Sequence, residues 1–371
     1  MDRRVFRLTA LVCAILVCAV ILFSALFFPG RQANGDKAYS RFTRRASDVF
    51  DTEIMLSGFA VSEEAFDRVS DEVIRRLTAY NQIFDGYNAY GDMHNLYYIN
   101  QHAAETPVEI PDELFDLLVW CRRKWDDGLS AVNPAMGAVL SIWHDYRTAG
   151  IEDPANAQLP PMEQLTAANA HTDFAAVILD EKNKTVYYAD PLLKIDVGAV
   201  AKGYAADLIR DYLMTEMPSF LLSLGGNVYA GEAPMDGRSA WAVAVQDPRA
   251  DDLIANANGS DRLDILDISS LSAVTSGDYW RFYIVDGQRY HHIIDPETLM
   301  PSRSVQSVTI VCESSLLADY LSTTLFIDSF EEGSALIASM DGVEAMWVLP
   351  DGSIRYSPGM GSYSRALKAG D

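Results

Sequence analysis

An α+β fold follows from three properties of the chain. Apolar repeats of helical period fill the first half, and short strand-like runs crowd the second. The 371 residues are also enough for one large unit with a sizeable core. In chain order the first element is 8–28, apolar except for Thr9 and Ser24 and free of charge. A bilayer span needs about 20 such residues. Arg3, Arg4 and Arg7 precede it, which keeps the N-terminus inside and sends the rest of the chain out. The downstream flank is basic too (Arg31, Lys37, Arg41, Arg44, Arg45), a weaker asymmetry than the rule prefers. A cleaved signal is the rival, with an apolar core of about 7–15 residues and a small-x-small site. The 8–28 run fits neither feature, so 1–28 is expected to be a cytoplasmic stub and an uncleaved anchor. Residues 29–48, polar and basic with Pro29, Gly30 and Gly35, read as a tether, and 49–371 as the globular unit.

Within that unit 63–83 has helical spacing at Ala65, Val69, Val73, Leu77 and Tyr80. A loop rich in Gly, Asn, Asp and Tyr follows over 85–95. A second helix is predicted over 111–125, with Pro111 near its start. Residues 131–147 hold Val139, Ile142 and Trp143, then 150–161 reads as a loop and 162–170 as a short helix. A hairpin is predicted from 175–179 and 185–189. Tyr204, Leu208, Tyr212 and Met214 mark a further helix, and 220–224 is a strand broken at Gly225-Gly226. Trp241, Val243 and Val245 alternate as in a half-buried strand. Strands over 263–272, 279–285 and 289–294 follow, with Asp286-Gly287 as a hairpin turn. Residues 307–312 are a strand and 314–327 a helix capped by Ser314. A last hairpin turns at Asp351-Gly352.

The formal net charge is −23. That argues against nucleic acid, whose phosphates need a basic surface. A phosphate-bearing substrate would need a local cation site against that field. Cys121 and Cys312, the two cysteines beyond the apolar run, read as buried free thiols. The chain has no Gly-x-Ser-x-Gly elbow, Cys-x-x-Cys, His-Glu-x-x-His or phosphate loop ending in Gly-Lys-Ser/Thr.

The most informative stretch is Lys194-Ile-Asp-Val-Gly-Ala-Val-Ala-Lys-Gly-Tyr204. An apolar run ends in Asp196, turns at Gly198 and launches a helix with Lys202 and Gly203 in its first turns. Such a helix start favours anions. Alone it is also an ordinary strand-to-helix junction with a surface ion pair. Asp319 and Thr323 are four apart on one helix face, a pair that can hold a hard cation but that also occurs by chance. Gly225-Gly226 within Ser223-Leu-Gly-Gly-Asn227 is either a tight turn or a close backbone approach to a ligand. Thr275-Ser-Gly277 offers hydroxyls beside Asp278. His292 precedes Ile-Ile-Asp295-Pro296 and has a side chain that ordinarily titrates near neutrality. In a strand His291 would face the other way, so at most one of the two enters a site.

Taken in this order, these stretches resemble the ApbE-type flavin transferases (FAD:protein FMN transferases). The resemblance spans about 50–327 and is more specific in its second half. It implies one catalytic unit of two interlocked subdomains with mixed sheets and packed helices. It also implies an enzyme that moves FMN from FAD to a Thr or Ser of another protein and releases AMP. The stretch Ala318-Asp-Tyr-Leu-Ser-Thr323 is similar to the family's Ala-Asp-x-x-x-Thr element, so Asp319, Thr323 and the Ala199 carbonyl are implied as magnesium ligands. Asp196 and Lys202 match residues that contact the flavin substrate. Gly225, Gly226, Thr275, Ser276 and His292 are implied in the FAD site. Phe50 stands where the family has Met, and Tyr87 where a ring stacks near the flavin. Asn133-Pro-Ala135-Met136-Gly137 with Trp143 resembles a further element, bringing Ala135 and Met136 to the flavin. Asn100 closes a stretch like the family's Leu-Asn. Lys202, Asp278 and His292 are the candidate catalytic groups, and Asp278 and His292 both remain open as the base. One departure is Thr298-Leu299-Met300-Pro301, where the family has Gly in place of Leu299. Leu299 is expected not to adopt a positive φ, so the turn should differ locally. The implied partners are FAD, an exported acceptor protein and, through 8–28, the cell membrane. A FAD pyrophosphatase and a non-catalytic flavin-binding protein are the alternatives.

Overall fold

The computed structural model describes residues 39–250, 261–279 and 281–369. The proposed anchor at 8–28 lies outside them. Among the described residues no helix is long and apolar enough to cross a membrane.

The frame is an eight-stranded sheet. Its strands, in spatial order, are β1 (Ser40–Val49), β2 (Thr52–Ala60), β6 (Phe220–Leu224), β7 (Asn227–Ala230), β10 (Leu271–Gly277), β13 (Ser307–Cys312), β14 (Glu344–Val348) and β15 (Ile354–Tyr356). A three-stranded sheet holds β3 (Val108–Glu109), β5 (Thr185–Tyr188) and β4 (Val177–Asp180). Two hairpins complete the strands: β8 (Trp241–Gln246) with β9 (Arg262–Ile268), and β11 (Tyr283–Val285) with β12 (Gln288–Tyr290). The sheets expected to be mixed are antiparallel in every ladder from β2 onward. Several of these strands are joined by tight turns, which only antiparallel neighbours allow. At Gly225 and Gly226 both φ values are positive (56° and 93°), as the two-residue turn between β6 and β7 needs.

Nine helices are described: α1 (Glu63–Phe84), α2 (Leu96–His102), α3 (Asp112–Asp126), α4 (Gly137–Glu152), α5 (Met162–Asn169), α6 (Ala201–Glu216), α7 (Ser315–Ile327), α8 (Phe330–Ala338) and α9 (Arg365–Ala369). Residues from Arg41 onward make one compact unit. Its main core packs α1, α6 and α7 on one face of the large sheet, through residues such as Val73, Ile209, Leu321, Val274 and Ile310. The β8–β9 hairpin covers the other face through Trp241, Leu266 and Ala273. β13 is buried along its whole length because it carries both cores.

Several expectations change. Residues 40–48, read as tether, fall in the edge strand β1 (Ser40–Val49); Arg41 and Arg45 alternate with Phe42 and Ala46, which pack inward, a pattern that polarity alone concealed. The loop expected from 150 starts later, because α4 continues to Glu152. Gly150 lies inside that helix, where a Cβ would stand 2.5 Å from the Tyr283 ring. The single strand expected over 263–272 is two strands, β9 and β10, parted at Ser270 with φ 54°. Leu299 does adopt a positive φ of 59°, against expectation. Burial of its side chain (5 % exposed) holds it there. So do the bond from Leu299 N–H to Asp295 O (2.8 Å) and the one from Trp143 Nε1 to Leu299 O (2.9 Å). Cys121 and Cys312 are buried free thiols, as read, with burial pushing both up to about 12.

Candidate active site

The site is built where α6 begins and crosses α7. Apolar residues of α6 (Ala205, Ala206, Ile209, Leu213) face the core and set its rotation. At Gly203 the two helices touch: a Cβ there would lie 2.5 Å from Ser315 O and 2.6 Å from Asp319 Cβ. One turn on, Asp207 caps α7, accepting from Ser315 N (2.8 Å), Leu316 N (3.1 Å) and Ser314 Oγ (2.8 Å). Gly203 and Asp207 thus fix the register of α7 and the place of Asp319.

The Gly203 N–H donates to Asp319 Oδ2 at 2.8 Å. Gly203 is the third residue of α6, so its N–H is one of those at a helix start that have no partner inside the helix. The Ala199 carbonyl, two residues before α6, accepts no backbone hydrogen bond among the described residues. Asp319 is 4 % exposed, and burial raises its carboxyl above the usual range against the pull of Lys202 and the Gly203 N–H. Thr323 follows one turn later on α7, half-buried, its hydroxyl in no hydrogen bond among the described residues. A buried carboxylate, an unpaired carbonyl and a free hydroxyl are the hard oxygen donors magnesium prefers. Among the described residues no group of three His, Cys, Asp or Glu side chains gathers as a metal site. A cation here relies on this mixed oxygen set, and the residues fit it.

Around Asp319 lies a field of cations. Lys202 acts on both Asp319 and His292. His292 is held well below its ordinary range, first by burial and then by Arg281, Arg147 and Lys202. The near-neutral titration expected from sequence is thereby corrected: in the free protein the ring is neutral at pH 7. Its Nδ1 is buried without a partner. His291 turns away, its Nε2 2.8 Å from Ser302 O, so only His292 faces the site. The reason differs from the one expected, since the strand ends at Tyr290.

Asp196 also belongs here. Its N–H reaches Pro134 O (2.8 Å), and its Oδ1 accepts from Gly198 N (2.7 Å). Burial raises it, while Arg281, His144 and Arg147 pull it down. Asn100 clamps the preceding residue, Ile195, through both backbone groups at 2.8 Å. Tyr87 is 46 % exposed and stacks on His144 at 4.3 Å. Phe50 takes φ 55°, and its carbonyl accepts from Arg281 Nη2 at 2.9 Å. Arg281 itself has φ 47°, a strained backbone of the kind found at functional sites.

Other predicted residues stand differently. Ala135 and Met136 are core residues, and only their backbone can reach a ligand. Thr275 and Ser276 alternate along β10 and face opposite sides. Ser276 bonds Ser322 of α7 (2.8 Å), whereas Thr275 bonds Thr309 on the far face (2.8 Å). Gly226 O accepts from Thr275 N at 3.0 Å, tying the glycine turn to β10. In Gly225 a Cβ would stand 1.8 Å from Thr52 Oγ1, so this glycine serves packing whatever it binds. Asp278 lies 3.7 Å from Arg289 and is raised by burial. Sequence reading missed His144, Arg147, Arg281 and Asp207. Arg147 and His144 lie one turn apart on α4, but nothing in their spacing says that the fold turns them toward Asp196.

The ApbE family model matches residues 50–347. This chain belongs to the ApbE family. It is an enzyme of that family's type. A relative in Treponema pallidum, named FAD:protein FMN transferase, is 34% identical over 286 residues, covering 73% of this chain and 75% of that protein. One in Klebsiella pneumoniae with the same name is 33% identical over 254 residues, covering 67% and 73%. The solved ApbE protein of Thermotoga maritima superposes with a TM-score of 0.74 at 27% identity, over 88% of this chain and 100% of that one. The flavin transferase ApbE of Vibrio cholerae shares the fold at a TM-score of 0.70 and 22% identity.

Proposed function

We propose that this protein is a magnesium-dependent FAD:protein FMN transferase. The observation that carries the reading is the bond from Gly203 N–H to Asp319. It fixes a buried carboxylate against the start of α6, where the Ala199 carbonyl and Lys202 stand. Asp319, Thr323 and the Ala199 carbonyl hold the metal, which neutralises charge on the substrate phosphates when bound. Lys202, with Arg281 and Arg147, binds the anionic part of FAD in an otherwise acidic protein. Tyr87 and His144 offer an aromatic surface to the flavin ring.

The hydroxyl oxygen of a Thr or Ser on the acceptor attacks the phosphorus of the FMN half. A new P–O bond forms, the bond between the two phosphates breaks, and AMP leaves. The hydroxyl proton passes to His292, whose ring is kept neutral by burial and then by the surrounding cations and whose Nδ1 has no other partner among the described residues. Asp278 is held by Arg289 and is the lesser candidate. We further propose that 8–28 anchors the chain in the cell membrane with the catalytic unit outside the cytoplasm, where it meets an exported acceptor.

Asp319→Ala tests the metal site. It supplies the only full charge among the ligands, so AMP release should fall to background while circular dichroism is unchanged. Wild-type turnover at limiting magnesium would overturn the assignment. Mass spectrometry of a Thr-bearing acceptor incubated with FAD and magnesium separates transfer from hydrolysis: transfer adds FMN to the acceptor, and hydrolysis leaves free FMN.

A further inference from the structure

Asn227 is the last residue of the Ser223–Asn227 stretch and has no role in the site so far. It opens β7 and is 1 % exposed. Alternation puts it on the same sheet face as Tyr229, the face that carries α7. The pairing of β7 with β10 sets it opposite Val274. A buried chain of side chains orients its amide. Ser272 Oγ lies 3.0 Å from Ser315 Oγ, and the Ser315 hydroxyl donates to Asn227 Oδ1. With Oδ1 engaged, Nδ2 points the other way. It is buried and bonded to nothing among the described residues.

Ser315 and Asp319 are four apart on α7 and share a face, so the Asp319 carboxylate lies one turn from the bond that holds the amide. The reverse orientation would set the amide oxygen against the Asp319 carboxylate, a repulsive contact. The Asn227 amide is near enough to act on the Asp319 carboxylate, without a hydrogen bond of ordinary length. A buried amide N–H without an acceptor is rare in folded proteins, and the carboxylate is the acceptor at hand.

We infer that Asn227 is a positioning residue for the transfer reaction, its unpaired Nδ2–H presented to the Asp319 carboxylate from the side opposite Gly203. Two fixed donors orient the carboxylate toward the cation, as outer hydrogen bonds orient metal ligands generally. Ser315 and Ser272 act behind Asn227 by fixing its amide. The inference rests on the magnesium reading given above.

Two measurements on the purified full chain test it. The first needs no metal: a double-mutant cycle of Asn227→Leu and Asp319→Asn, read by denaturant unfolding in EDTA. The Asn227 substitution should destabilise less once Asp319 is neutral. Strictly additive shifts would overturn the contact. The second is the magnesium dependence of AMP release. Asn227→Leu should raise the half-saturating magnesium concentration about tenfold to a hundredfold, with turnover at saturating magnesium recovered. Ser315→Ala, which keeps the packing, should give a smaller shift in the same direction and covers the case in which Asn227→Leu does not fold. Unchanged magnesium dependence in both variants overturns the inference. If Asp319→Ala itself keeps wild-type activity, the metal reading fails instead, and the unfolding cycle still reports on the contact.

Discussion

Lys202 stands beside both Asp319 and His292, and its charge acts on each in the opposite sense. It favours the ionised carboxylate and disfavours the protonated ring. On the proposed reading, Lys202→Met deletes a charged partner of the phosphates. A charge-assisted bond of this kind contributes about 1.5–3 kcal/mol, or roughly a tenfold to hundredfold loss in AMP release. Activity equal to wild type would place the phosphates elsewhere. The neighbouring His291 gives a pH test of the fold. Burial lowers its pKa from 6.5 to about 4, so the folded state keeps it neutral where the unfolded chain takes up a proton. Stability therefore rises with pH across that window and is lost as pH falls from 6.5 toward 4. The slope is about 1.4 kcal/mol per pH unit for one proton. Raised carboxylates such as Asp196 and Asp319 tilt the other way, since folding then favours the protonated form. The difference between wild type and His291→Gln isolates the histidine. Unfolding midpoints from pH 4 to 7 should show a shallower fall in the variant, and parallel curves would contradict the assignment.

At the scale of elements, the site depends on how closely α6 approaches α7. Gly203 permits that approach, and any side chain there meets Ser315 O and Asp319 Cβ below 3 Å. Gly203→Ala should destabilise the fold by about 1–3 kcal/mol through overpacking. It should also lower AMP release at least about tenfold by moving Asp319, as displaced metal surroundings do. Thermal unfolding and the magnesium dependence of turnover read the two effects separately. A variant with lowered stability but wild-type magnesium dependence would show that the Gly203 contact is packing only. The turn at Leu299 shows the converse case. A leucine occupies a backbone conformation that favours glycine because its side chain fills the cluster of Met136, Val139, Trp143 and Ile294. Burying such a side chain contributes about 1.5–3 kcal/mol, more than the roughly 1–2 kcal/mol cost of the left-handed conformation.

For the whole molecule, the described fold begins at the edge strand β1, and residues from Arg41 onward form one unit. A chain starting at Tyr39 should fold and release AMP like the full chain. Only the full chain should sediment with membranes on cell fractionation. A full chain recovered entirely in the soluble fraction would remove the anchor reading, and an inactive truncated chain would show that the preceding residues serve catalysis. The acidity of the molecule also bears on its chemistry. With a net charge of −23, the molecule repels an anionic substrate at long range, and the proposed capture of FAD falls to the local group of Lys202, Arg147 and Arg281.

The sequence by itself determined the class of fold, the helices at 63–83, 111–125 and 314–327 and the tight turns, because apolar period and turn chemistry are local properties. It also brought out Asp196, Lys202, His292, Asp319 and Thr323, since they stand in compact motifs similar to those of a known family. Only the tertiary structure decided the rest. Arg147 and His144 lie on a helix whose other face is core, and Arg281 sits in a short connection; their convergence on Asp196 and His292 depends on packing over long sequence separations. The depressed titration of His292 likewise comes from burial and from cations distant in sequence. The charged strand β1 concealed its inward face within a polar run. The bond from Gly203 to Asp319 joins residues 116 apart in sequence, and no local pattern records it.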